Sequence, residues 1–97
     1  MDALYLFTNA AEKGDAAAQN DLGTFYEHGD GVQQDPKKAV YWYTKAAEQG
    51  NAVAQNNLGV CYAKGFGVQK DMEMARHWIS LSAAKGYEPA QQNLRNF

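Results

Sequence analysis

Few side chains in this 97-residue sequence could do chemistry: two histidines, His28 and His77, and one cysteine, Cys61. A zinc site needs several ligands closing on one ion. The two histidines lie 49 residues apart and fall on helices of different type, and Cys61 falls on a core face, so no metal spacing arises. A nucleophile needs a neighbouring base and a group that orients that base. No Ser/His/Asp or Cys/His pair is offered. The stretch HGDGVQQDP, residues 28–36, is the remaining suggestion, with glycines one residue apart, an acid and a proline. A dinucleotide fingerprint would need a third glycine where Gln34 stands and a strand ahead of it. A calcium loop would need alternating acids and a closing Glu. Neither condition is met.

The elements that would position these residues come from a repeat. Shifted by 36 residues, residues 10–45 align with residues 46–81 without a gap, and 18 of the 36 positions are identical. A third, partial copy, SAAKGYEPAQQNLRNF, fills residues 82–97. The glycine loop therefore returns as Gly65-Phe66-Gly67-Val68-Gln69-Lys70-Asp71. A phosphate loop is needed once, whereas a turn that builds a repeat is needed in every copy. Gly29/Gly31 and Gly65/Gly67 read as turn glycines that permit positive φ between helices.

Regular punctuation predicts helices near residues 2–13, 15–28, 36–49, 51–64, 72–85 and 87–96. Gly14, Gly50 and Gly86 close alanine-rich helix ends. Asp15, Asn51, Asp35 and Asp71 can cap the helices that follow, and Pro36 suits a first helical position. Ala18, Leu22, Phe25 and Tyr26 share one face, as do Ala54, Leu58, Cys61 and Tyr62. Ala39, Trp42, Tyr43 and Ala46 make the stripe of the second helix, matched by Ala75, Trp78 and Ile79. Steps of three and four are the helical period. Small residues recur at Ala11/Ala47/Ala83, Ala18/Ala54/Ala90 and Gly23/Gly59, where helices must approach closely. A glycine inside a helix costs about 1 kcal/mol against alanine, so its recurrence calls for a packing reason. Each helix pair has too little apolar surface to close a core alone, and stacked neighbours supply it. The expected fold is all-α: a right-handed α/α superhelix of about two and a half 36-residue repeats. One domain over 1–97 divides into 1–14, 15–50, 51–86 and 87–97.

Bulk properties fit one small domain. A net charge of −2 gives no electrostatic footprint for nucleic acid or anionic lipid. No apolar run approaches a membrane span. The start, MDALYLFTNAAEKGD, lacks the basic region of a signal peptide. A single cysteine leans toward a reducing compartment, and export with a removed signal stays open.

The features A-A-x-x-G, A-Q-x-x-L-G-x-x-Y, G-x-G-V-x-x-D and K/M-A-x-x-W cover almost the whole chain. In order and spacing they resemble the Sel1-like repeat, a relative of the tetratricopeptide repeat. That resemblance implies an adaptor or scaffold for protein complexes and supplies no catalytic signature. Some bacterial members staple each repeat with a cysteine pair; a single cysteine sets this chain apart. Arg95 also stands where Gly23 and Gly59 stand in the fuller copies. The chain reads either as part of a longer array or as a minimal protein with improvised caps.

The repeat gives an internal control: a residue present in every copy is architecture, and a surface residue that varies is free to specify a partner. Gln19/Gln55/Gln91 read as structural, bonded to loop backbone, and Trp42/Trp78 and Tyr26/Tyr62 as core. Opposite the core, the first helices carry Asn20, Asp21, Thr24, Glu27 and His28, then Asn56, Asn57, Val60 and Lys64, then Gln92, Asn93 and Asn96. In tetratricopeptide-like stacks this face lines the concave groove. Side-chain amides both donate and accept, which suits a peptide backbone, so this row is the expected site for a peptide or partner helix. A merely solvated face is the alternative, and the recurrence of Asn20/Asn56 makes part of the row architectural. A carboxylate clamp would need cations where Pro89 and Asn93 stand. Self-association through the ends is the second reading, using Leu4, Phe7, Met74, Ile79 and Leu81. Weak hydrolysis of cell-wall material or β-lactams rests on family analogy alone. No cofactor is expected.

Overall fold

A computed structural model describes residues 3–97. Six helices follow one another: α1 (Ala3–Glu12), α2 (Ala16–His28), α3 (Pro36–Glu48), α4 (Ala52–Lys64), α5 (Met72–Ala84) and α6 (Glu88–Arg95). The anticipated boundaries hold to about one residue; the expected start at residue 2 lies outside the described residues.

The caps explain these boundaries. Side chains of Asp15 and Asn51 accept from the N–H of Ala18 and Ala54, three residues on. Asp35 and Asp71 do the same for Lys38 and Met74, and Pro36 sits in the first turn of α3. Such caps satisfy N–H groups that no helical carbonyl can reach. Gly29 and Gly65 end α2 and α4 in the left-handed region, with φ of 75° and 71°. Their N–H groups bond back to the carbonyls of Phe25 and Cys61. The GxGV loops are thus helix terminators, as their recurrence required.

The helices form two layers. Hydrogen bonds from Asn57 to Asn20 and from Asn93 to Asn56 place α2, α4 and α6 side by side. Helices α1, α3 and α5 alternate with them, each packing on its chain neighbours. The core runs through the stack as two clusters. One is built on Ala11, Ala18 and Leu22, the other on Tyr43, Ala54, Leu58 and Cys61. The molecule is elongated, 41 × 24 × 18 Å, as stacked helix pairs must be.

The two helical glycines have their packing reason. A Cβ on Gly23 would meet ring carbons of Tyr43 at 2.6 Å, and one on Gly59 would meet Cγ1 of Ile79 at 2.5 Å. Each lets the next helix seat against its backbone. On α6 this position is the exposed Arg95.

The glutamine row is architectural in a more specific way than expected. Gln19, Gln55 and Gln91 donate to the carbonyls of Ala11, Ala47 and Ala83 at 3.1, 3.2 and 3.2 Å. The acceptors belong to the last turn of the preceding helix, where carbonyls lack helical donors. They are not loop groups. Trp42 and Trp78 are only half-buried; the largest fully buried side chain is Tyr43. Ile79 is 1% exposed, so it forms no part of an end surface: it fills the space that Gly59 leaves. Leu81 is exposed, and Leu4, Phe7 and Met74 are half-buried.

Candidate interaction surface

The inner row divides into two groups. Asn20 and Asn56, 8% and 6% exposed, are buried rather than presented to solvent. Each accepts from the amide nitrogen of an asparagine 37 residues later, Asn57 and Asn93, both at 3.0 Å. A helix face that looks outward within one repeat is covered by the next repeat, which makes these four amides rungs between α2, α4 and α6. Thr24 is also engaged, donating to the carbonyl of Asn20 at 3.1 Å. Glu27 is held by the Tyr43 hydroxyl, which donates to its Oε1 at 2.5 Å. Asp21 is half-buried, and burial followed by the charge of Asp15 raises its pKa. Gln92 is exposed.

The remaining residues line two clefts. The first, about 240 Å³, lies between α2 and α4, walled by Glu27, His28, Asn57, Val60, Cys61 and Lys64 with Gln34 and Phe66. The second, about 260 Å³, lies between α4 and α6, walled by Val60, Ala63, Lys64, Asn93, Asn96 and Phe97 with Met72 and Ile79. Five walls of the second stand 36 residues after five walls of the first: Glu27/Ala63, His28/Lys64, Asn57/Asn93, Val60/Asn96 and Cys61/Phe97. The clefts are one feature repeated. Seven of the twelve anticipated residues therefore come together on them. Asn20 and Asn56 support them from beneath, and Asp21, Thr24 and Gln92 line neither. The loop residues Gln34 and Phe66 were missed. Only knowing how the GxGV loops fold back over the ends of α2 and α4 would have found them.

The electrostatics speak for a quiet surface. Burial, with a smaller part from the charge of Glu27, pushes the Cys61 thiol up to about 12. A thiol is a nucleophile only as thiolate, so Cys61 is a small buried packing group. The Tyr43 phenol is pushed well above its usual value, first by burial and then by its bond to Glu27, so it stays a donor. His77 lies exposed on the far layer, edge-on to Trp78 at 5.0 Å. Among the described residues no group of three or more His, Cys, Asp or Glu stands close enough to hold a metal. No described helix is long and apolar enough to cross a membrane.

The Sel1 repeat family model matches residues 2–15, 16–51 and 52–87. The chain belongs to the Sel1 repeat family. Solved Sel1 repeat structures share its architecture. A Sel1 repeat protein from Oxalobacter formigenes is 42% identical with a TM-score of 0.91; the match covers 94% of this chain and 68% of that one. The protein c5321 is a protective antigen of uropathogenic Escherichia coli displaying the same fold. It is 42% identical with a TM-score of 0.86, over 87% of this chain but only 18% of c5321. The cysteine rich protein B of Helicobacter pylori is 28% identical with a TM-score of 0.88, over 94% of this chain and 68% of its own. No curated protein matches the chain. The fold is thus the right-handed α/α superhelix of Sel1 repeats. As a family, Sel1 repeats bind protein partners as interaction scaffolds and are typically non-catalytic. In this Sel1 repeat chain the one cysteine is buried and unpaired.

Proposed function

We propose that this chain is a non-catalytic scaffold module that holds a peptide or partner protein along the inner face of α2, α4 and α6. The observation that carries this reading is the repeated cleft, one between each adjacent pair of those helices, bearing Asn57 in one and Asn93 in the other. Each asparagine spends an amide N–H on the rung beneath it. Its carbonyl oxygen stays available to accept from a guest backbone, and its amide has a second hydrogen to give. A site that repeats with the architecture suits a guest that itself repeats, as a peptide backbone does.

Val60 is a wall of both clefts and makes no hydrogen bond through its side chain, so Val60→Arg fills the groove while leaving the rungs intact. The test is selection from a random peptide display library on the wild-type domain, then binding of the selected peptides to the Val60→Arg variant, with circular dichroism to confirm its fold. Peptides that lose binding support the groove. Peptides that bind both proteins alike place the site elsewhere, and the reading fails.

A self-associating module has less support. Outside the clefts the exposed apolar side chains are dispersed, with Tyr5 and Leu6 in α1, Tyr41 in α3 and Leu81 in α5, while Met72 and Phe97 wall the second cleft. Light scattering that shows concentration-dependent growth would favour it.

A further inference from the structure

The two clefts share a shape but not a chemistry. In the first repeat Thr24, Glu27 and Tyr43 form a polar trio. Tyr43 donates to Glu27 at 2.5 Å, and the Thr24 hydroxyl lies 3.3 Å from that of Tyr43. Thirty-six residues later the same positions hold Val60, Ala63 and Ile79. All three change together and in one direction, from polar to apolar. The change is not scattered drift, since the three side chains of the first set touch. The first cleft therefore carries a carboxylate, and the second presents Val60, Ala63, Ile79, Met72 and Phe97.

Glu27 is partnered by a neutral phenol rather than by a cation. That bond engages Oε1 and leaves Oε2 to a guest; Lys64 and His28 wall the same cleft. Phe66, half-buried, forms another wall of the same cleft. A carboxylate beside an aromatic ring suits a long cationic side chain, whose stem packs on the ring while its head pairs with the acid. The second cleft suits an apolar group, which gains by leaving water. The clefts lie one helix apart. Packed helices are spaced by about 8–10 Å, and a chain in the extended polyproline II form advances about 3.1 Å per residue and brings every third side chain to the same face. The two anchors of a guest are then about three residues apart. Lys64, exposed at the rim of both clefts, can donate to main-chain carbonyls between them.

We propose, building on the groove reading above, that the guest is an extended peptide with a lysine or arginine and, about three residues away, a large apolar side chain. The cation seats against Glu27 between α2 and α4, and the apolar group seats between α4 and α6.

The experiment is selection of a random dodecapeptide phage library on two proteins, the wild type and the variant Thr24→Val/Glu27→Ala/Tyr43→Ile. The variant transplants side chains that line one cleft together one repeat later. Wild-type selections should converge on a basic and an apolar residue three apart, and variant selections on two apolar residues at that spacing. A synthetic peptide from the wild-type selection should lose roughly tenfold or more in affinity to Glu27→Gln by fluorescence anisotropy, the scale of one charge-assisted bond. Glu27→Gln keeps the shape and the acceptor for Tyr43, so it decides the matter if the triple variant fails to fold. Binders that lose to Val60→Arg but show no such residue pair, or that ignore Glu27→Gln, overturn this inference and leave the groove standing. Binders indifferent to Val60→Arg, or no binders at all, overturn both.

Discussion

Replacing Gly59 with alanine sets two effects of opposite sign against each other. Helix propensity alone favours alanine in a helix interior by about 1 kcal/mol. Packing opposes it. The new Cβ would lie 2.5 Å from Cγ1 and 3.2 Å from Cδ1 of Ile79, and 3.0 Å from the carbonyl oxygen of Ala75. Ile79 is 1% exposed, its Cγ1 is held close to its own main chain rather than at a flexible far end, and the Ala75 oxygen belongs to the backbone of α5. Overpacking costs about 1–3 kcal/mol, and here α4 and α5 must part as well, which argues for about 2–3. The net is a loss of about 1–2 kcal/mol, or a fall in Tm of roughly 5–15 °C for a domain of this size. Thermal and urea melts followed by circular dichroism read it directly. The same substitution in an Ile79→Ala background removes the two nearest side-chain contacts and should cost much less, a coupling that a double-mutant cycle isolates. An unchanged or raised Tm for Gly59→Ala in the wild-type background would refute the close-approach argument.

The buried Gln55 Oε1 lacks a hydrogen-bond partner, whereas its counterpart on Gln19 accepts from Gln49 Nε2 at 2.8 Å. The residue equivalent to Gln49 is Lys85, which bonds the Gly50 carbonyl instead; Lys85→Gln should therefore raise stability by about 1 kcal/mol, and an unchanged urea midpoint would sink the idea. Asn56→Ala leaves the Asn93 amide without its rung partner and should cost about 1–2 kcal/mol, with hydrogen exchange in α6 accelerating most if the rung ties that helix down. The Cys61 thiol rises from 9.0 to about 12 on folding. Its contribution is complete below pH 9 and is lost between pH 9 and 12, because the unfolded thiol ionises first, at up to about 1.4 kcal/mol per pH unit. Urea midpoints should fall over that window and fall less steeply in Cys61→Ala, and parallel slopes in the two proteins would contradict it.

The helices and their order were legible because their punctuation is local. Asp15, Asn51, Asp35 and Asp71 cap within three residues of their own positions, and Gly29 and Gly65 terminate helices by backbone shape alone. The close approach at Gly23 and Gly59 was legible because a glycine inside a helix needs a reason. The inner face was harder. Residue type and helical phase make Asn20 and Asn56 polar and outward within one repeat, and their burial comes from residues 37 positions away. Recurrence hinted at an architectural role without naming the partner. The Glu27–Tyr43 bond joins two helices and hides the same way, though the joint replacement of Thr24, Glu27 and Tyr43 by Val60, Ala63 and Ile79 was visible as covariation between copies. The half-burial of the tryptophans followed from size: an indole spans from core to surface, and the smaller ring of Tyr43 sits against Gly23.

In a stack of like units each helix must offer a seat to the next. In this fold the absence of one side chain makes the seat. Helices α2 and α4 each admit a successor through a glycine; α6 carries Arg95 at that place, and its Cβ alone would exclude the backbone approach that Tyr43 and Ile79 depend on. A helix arriving at α6 could not seat as α3 seats on α2. The register of the array is written in its recurring asparagines and glutamines, and the closeness of each seat in one residue, which gives anyone redesigning such a stack one position to edit.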